Sequence, residues 1–281
     1  MDAQELIERY NRGETNFKNV DLSGQTLANL KLSRINLKEA DLSGVSFIDC
    51  SLLQANLKES NITDGNITGD LTEANLIQAK LTNCKVKNSN LTDASLRKAN
   101  LSDSDFSDSI LNYALLHDTN LRRAKLRNAV MMNCLLSRSN LSDANLQGAN
   151  LQGANLTNAI MMNTNIEDAN LSSTQMNSVN GIGLKASKAN FSHANLSSSN
   201  FANGTFKGAN FFDSVISWCS VKMSNLEEAN LSQAKLLWSN LTRCDLSNAN
   251  LLHANINQVN FELAILDGIM MGDSTINNKS D

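Results

Sequence analysis

An apolar side chain returns at every fifth residue along almost the whole of this 281-residue chain. From Phe17 the series runs Leu22, Leu27, Leu32, Leu37, Leu42, Phe47, Leu52, Leu57, Ile62 and Ile67. One four-residue step leads to Leu71, and the fives then resume through Leu76, Leu91, Leu151 and Phe211 to Ile276. Within this series only Gly181 lacks an apolar side chain, and the one-residue deletion falls within Thr68 to Asp70. A period of five fits neither the 3.6 of a helix nor the 2 of a strand, so neither element alone keeps the stripe inside. The chain must therefore turn every five residues.

If each pentapeptide forms one side of a square, four make a coil of about twenty residues, and coils stacked at ~4.8 Å bury one continuous column. The spacing predicts about thirteen coils and a rod on the order of 60 Å long. Two residues before each central position stand small residues, as in Ala74, Ala79, Cys84, Ser89, Ala94, Ala99 and Ser104. A second inward side chain in so narrow a core has to be small to avoid overpacking. The remaining positions carry Asn, Asp, Ser, Lys and Gly, as an exposed wall with tight turns requires. Proline, which would remove a ladder donor, is absent.

The stretches Ala40-Asp41-Leu42-Ser43-Gly44, Ala149-Asn150-Leu151-Gln152-Gly153 and Ala249-Asn250-Leu251 resemble the pentapeptide-repeat family, whose pattern is Ala-(Asp/Asn)-Leu-X-X. The resemblance covers nearly the whole chain. It implies an all-β fold, a right-handed quadrilateral β-helix; handedness and squareness come from the family, whereas the solenoid follows from the spacing. The opening Glu5-Leu6-Ile7-Glu8-Arg9-Tyr10 through Gly13 and Asn16-Phe17, with the closing Gly268-Ile269-Met270, looks like the cyanobacterial members that regulate heterocyst differentiation. That likeness implies regulation through protein contacts, the partner being a transcriptional or differentiation regulator.

One unbroken pattern predicts a single elongated domain, with a short capping helix over 1–14, the solenoid over 15–276 and a disordered tail over 277–281. Leu6, Ile7 and Tyr10 share one face of the helix, Asp2 is its cap and Gly13 follows its end, so it is expected to cover the first coil. The segment Val179-Asn180-Gly181-Ile182-Gly183-Leu184, followed by the small Ala186, predicts a local bulge or loop over 179–186. Cys50, Cys84, Cys134, Cys219 and Cys244 all fall at the small inward position, where they substitute for Ala and form no disulfide framework or metal site. No basic leader, polybasic run or membrane-length apolar stretch is present, and a cytoplasmic protein without membrane contact is expected.

Catalytic chemistry is not legible. His117, His193 and His253 point outward and lie too far apart to share a metal, there is no phosphate-binding glycine loop, and Ser and Asp abound because the repeat demands them. No enzyme activity and no cofactor are expected. Residues twenty apart should stack, which makes alternating ladders of Asp103, Arg123 and Asp143, of Lys85, Asp105 and Lys125, and of Lys207 with Glu227. The Arg122, Arg123, Lys125 and Arg127 cluster is diluted by these acids, which argues against nucleic acid.

Exposed apolar residues mark two protein-binding patches on the same two adjacent walls. One holds Trp218 stacked with Trp238, flanked by Phe212, Val215 and Leu237. The other sets Ile110 under Val130 and Leu115 under Leu135, with Tyr113 and Met132 nearby. A non-catalytic scaffold that binds another protein is the expectation; the alternative is a DNA mimic acting on DNA gyrase or another DNA-binding protein. That alternative needs a dense acidic surface, whereas 24 basic residues are interleaved with 28 acidic ones for a net charge of −4.

Overall fold

A computed structural model describes residues 1–272, so Ile276 and the expected 277–281 tail lie outside the described residues. The chain forms two compact units, Met1–Asn145 and Leu146–Asp281. Its elements are one helix, α1 (Ala3–Asn11), and five short strands, β1 (Thr26–Ala28), β2 (Ser46–Ser51), β3 (Asn66–Asp70), β4 (Asn250–Leu251) and β5 (Met270–Met271). Most of the pairing is single-residue parallel bridges between residues twenty apart, such as Asp21↔Asp41 in the first unit and Asn150↔Asn170 in the second. Both units are thus β-solenoids built from five-residue turns.

Tracing each backbone N–H explains the residue types. The N–H of a central residue crosses to the next coil, as in Leu22 N to Asp41 O at 2.8 Å, and the N–H two residues later does the same, as in Gly24 N to Ser43 O at 2.8 Å. The N–H before the next centre reaches back a coil, and the one before that closes the turn, as in Gln25 N to Leu22 O at 3.1 Å. Only the N–H just after the centre is left over. The Asn or Asp before the centre accepts it: Ser23 N donates to Asp21 Oδ1 at 2.9 Å and Gln152 N to Asn150 Oδ1 at 3.1 Å. A buried amide without a partner is costly, so this side chain completes the accounting. The second residue after each centre sits in the left-handed region, including Asn19 at φ 59° and Gly24 at φ 66°, which favours Asn, Asp and Gly there.

Inside the first unit, Phe17, Leu22, Leu27 and Leu32 of the first coil are all buried. Helix α1 lies against this coil: Leu6 is fully buried, Tyr10 Oη donates to Ser33 O at 2.9 Å, and the Arg9 guanidinium sits 5.4 Å from the Phe17 ring centre. Asp2 caps α1 by accepting from Glu5 N at 2.8 Å.

The missing residue near position 69 is absorbed by the backbone. β2 pairs with β3 as Phe47↔Ile67, then as Cys50↔Gly69 and Ser51↔Asp70, with a bulge between. Bridges that span the deletion join residues nineteen apart (Asn56↔Asn75, Asn61↔Lys80), and twenty returns at Asp70↔Asn90. Gly69 adopts φ 122°, and a Cβ there would collide with the Cys50 carbonyl oxygen and stand 2.9 Å from its nitrogen.

The bulge or loop expected over 179–186 does not occur. Gly181 N still donates to Asn200 O at 2.7 Å, and Asn180↔Asn200 and Lys185↔Thr205 keep the twenty-residue register. Side chains from the next coil compensate instead. A Cβ on Gly181 would meet Phe201 Cδ1 at 2.6 Å, so the Phe201 ring occupies the room that a leucine at 181 would take. Phe201 meets Phe206 edge-on at 6.0 Å, and Phe191 stacks on Phe211 at 4.8 Å.

Candidate protein-binding surface

In the second unit Trp218 and Trp238 stack with ring centroids 5.2 Å apart and planes within 6°. They are 62% and 52% exposed. Both occupy the left-handed turn position, with φ of 62° and 61°. A bulky side chain there carries a backbone cost on the order of 1–2 kcal/mol that Gly escapes. Long side chains such as Arg34, Gln78 and Lys98 share this turn position, so what sets the indoles apart is their exposed apolar area. Phe212, Val215 and Leu237 are half-buried and add less exposed surface than the indoles. Phe212 also packs edge-on against His193, centroid to centroid 5.5 Å.

The first unit's patch is built differently. Ile110 pairs with Val130 and Leu115 with Leu135 in the backbone bridges. Ile110 and Tyr113 are 41% and 53% exposed, whereas Leu115, Val130, Met132 and Leu135 are half-buried. Ile110, Leu115, Val130, Leu135 and Val215 all replace the Asn or Asp that takes the leftover N–H. For Val130 the repair is visible: Met132 N donates instead to Asn112 Oδ1 of the coil before, at 2.9 Å. Apolar residues at this position therefore give up a local hydrogen bond worth about 1 kcal/mol when the amide is shielded from water.

Exposed apolar side chains that the spacing did not single out include Met223, Ile160 and Met162, with Leu252, Leu263, Ile265 and Met270 near the end of the described chain. Met223 and Leu263 were findable, because they occupy the same turn position as Trp218.

The charged ladders differ in detail from simple vertical stacking. Arg123 makes a bidentate pair with Asp103 at 2.6 and 2.7 Å, but Asp143 is met by Arg122 at 3.6 Å. Asp105 is met by Lys87 at 3.0 Å rather than by the side chain of Lys85 or Lys125, although its backbone bridges both. Lys207 pairs with Glu227 at 2.9 Å. A further bidentate pair, Arg138 with Asp118 at 2.7 and 2.9 Å, holds the carboxyl below its ordinary range. Apart from Asp105, whose side chain is 15% exposed, these groups are more open to solvent and the pairs individually weak.

The five cysteines are free and buried. Burial pushes the thiols of Cys84, Cys134 and Cys219 up to about 12, and the Sγ–H of Cys84 donates to Ile62 O at 2.8 Å. They are packed as thiols with little thiolate character. Among the described residues no group of His, Cys, Asp and Glu is placed to hold a metal ion, and no helix is long and apolar enough to cross a membrane.

The family model for pentapeptide repeats matches in eight copies that cover residues 15–177, 182–222 and 224–268. The chain belongs to the pentapeptide-repeat family. The gap in the match before residue 182 coincides with Gly181. No curated protein matches the chain. Among solved structures, HetL is described as a pentapeptide repeat protein involved in heterocyst differentiation regulation, from the cyanobacterium Nostoc sp. strain PCC 7120. It is 25% identical, with 98% of this chain and 99% of that chain covered and a TM-score of 0.26. QnrB1, a plasmid-mediated fluoroquinolone resistance protein, is 19% identical over 73% of this chain and 94% of that one, with a TM-score of 0.34. A pentapeptide repeat protein from the Arabidopsis thaliana thylakoid lumen is 22% identical over 42% and 72%, with a TM-score of 0.22.

Proposed function

We propose that this chain is a non-catalytic, cytoplasmic scaffold, a right-handed quadrilateral β-helix of about thirteen coils over 15–276, that binds a partner protein. The observation that carries this reading is the Trp218–Trp238 stack, two large apolar rings that stand more than half exposed. Exposed aromatic rings are sites where a partner gains affinity, because burying such rings contributes much of an interface's energy. Phe212, Val215 and Leu237 flank the stack, and Ile110, Tyr113, Leu115, Val130, Met132 and Leu135 form a second contact area. A regulatory setting, in heterocyst differentiation, follows from the likeness of Glu5–Tyr10 and Gly268–Met270 to the cyanobacterial regulators of the family. The DNA-mimic alternative is disfavoured by the Arg123–Asp103, Arg138–Asp118 and Lys207–Glu227 pairs, which neutralise the acids such a surface would need.

The test is capture of partner proteins from an extract by the intact chain and by the Trp218→Ser/Trp238→Ser variant. Loss of specific capture with an unchanged thermal transition is expected. Unchanged capture by the variant would remove this surface from the binding role.

A further inference from the structure

The outward positions around the tryptophan stack are charged in one sense more than the other. Lys235 bridges Val215 in the backbone ladder, just ahead of Trp238, and is exposed. Lys222, four residues after Trp218, and Arg243, five after Trp238, lie on the next side of the solenoid and are exposed. Among the described residues none of these three cations is in an ion pair, whereas Lys207 of the same unit is held by Glu227 and Glu228 at 2.9 and 3.8 Å. Two carboxylates share these positions: Asp213, whose Oδ2 lies 3.0 Å from His193 Nδ1, and Glu262, one coil beyond Thr242. Lys222, Lys235 and Arg243 therefore outnumber the carboxylates on the outward positions beside the apolar anchor point, and among the described residues none of the three is held in an ion pair.

Taking the tryptophan stack as the protein-binding site proposed above, we infer that its partner presents an acidic segment, an apolar or aromatic side chain flanked by Asp or Glu. The anchor lies on the indoles, where removal of water supplies affinity. The flanking carboxylates meet Lys222, Lys235 and Arg243, which steer association and set orientation. Single-stranded nucleic acid fits less well. The indoles are closed on each other at 5.2 Å, so no base enters between them.

The protein's two tryptophans are this pair, so tryptophan emission reports on this site alone. The probe is a synthetic peptide of alternating Glu and Leu around a central Phe. Two counterparts carry Gln or Lys in place of every Glu, and an oligothymidylate serves as an anion without an apolar anchor. Saturable quenching by the Glu peptide is expected. It should weaken as salt is added, and by at least tenfold with the Gln peptide or with the Lys222→Glu/Lys235→Glu/Arg243→Glu variant. Equal binding of the Gln or Lys peptide, no loss in the charge-reversed variant, tighter binding of oligothymidylate, or no response to any peptide would each overturn the acidic-partner inference. In extract capture, partners kept by the charge-reversed variant but lost by Trp218→Ser/Trp238→Ser would overturn the inference and leave the protein-binding reading standing. Capture that survives the tryptophan substitutions would remove that reading itself.

Discussion

Two places interrupt the five-residue pattern, and the molecule treats them in opposite ways. At 67–70 a residue is missing, and the backbone changes: β2 and β3 slip past each other by a bulge, and the bridges that span it join residues nineteen apart. At 181 a side chain is missing, and the backbone does not change at all. The difference teaches what the fold counts. The ladder of N–H and C=O groups follows the number of residues per coil, so a missing residue has to be taken up by a shift in the backbone register itself. Core volume is shared between coils, so a ring from the next coil fills a gap left by a glycine.

This contrast orders the expected effects of substitution. The largest belongs to the backbone site. Gly69→Val adds a branched Cβ where the Cys50 carbonyl already stands and forces φ 122° on a residue that avoids it. Strain and overpacking together predict a loss on the order of 3–6 kcal/mol in urea unfolding. Next comes Phe201→Ala, which removes the ring that fills the space at Gly181 and leaves a cavity bounded by two coils. A loss of about 3–5 kcal/mol is expected by the same measurement. Should Gly69→Val prove the milder of the two, the distinction between backbone count and shared volume would fail.

A sharper test couples the two halves of the compensated site. Gly181→Leu places a side chain against Phe201 and should cost about 1–3 kcal/mol. Combined with Phe201→Leu, the two coils each regain the residue that the repeat prefers, and the double variant should be more stable than the sum of the single changes predicts. A coupling of about 1–3 kcal/mol in a double-mutant cycle is expected. Additive losses would mean that Phe201 and Gly181 are packed independently.

Why one interruption was readable from the sequence and the other was not follows from the same contrast. A deletion shifts every later leucine, so Leu71, Leu76 and their successors all report it. The filling of Gly181 is reported only by Phe201, twenty residues on, and a phenylalanine at a central position looks ordinary by itself. The surface shows a similar split. Stacking of Trp218 on Trp238 follows from counting twenty, whereas the half-burial of Phe212, Val215 and Leu237 depends on the sizes of their neighbours. Likewise, vertical counting places Asp105 between Lys85 and Lys125. It does not foresee that the longer reach of Lys87 from the adjacent outward position brings its ammonium to that carboxylate at 3.0 Å.

The smallest expected effects lie in the polar atoms beside each interruption, where they differ in sign. At the bulge Asp49 N donates to Thr68 Oγ1 at 2.8 Å, and that hydroxyl donates to Asp49 Oδ1 at 3.2 Å. A side chain thus accepts from a backbone amide at the bulge. Thr68→Val keeps the shape and removes the acceptor, so a loss of about 1 kcal/mol is expected. Beside Gly181 the situation is reversed: Asn180 Oδ1 is buried without a hydrogen-bond partner. Its bridge partners are Ile160 and Asn200, so the ladder at this position already accepts a β-branched apolar residue. Asn180→Val removes an unsatisfied acceptor while the backbone bridges remain, and its unfolding free energy should equal or slightly exceed that of the parent chain. A loss at Asn180→Val as large as that at Thr68→Val would show that the amide is engaged after all, and the site at 181 would then depend on polar contacts as the bulge does.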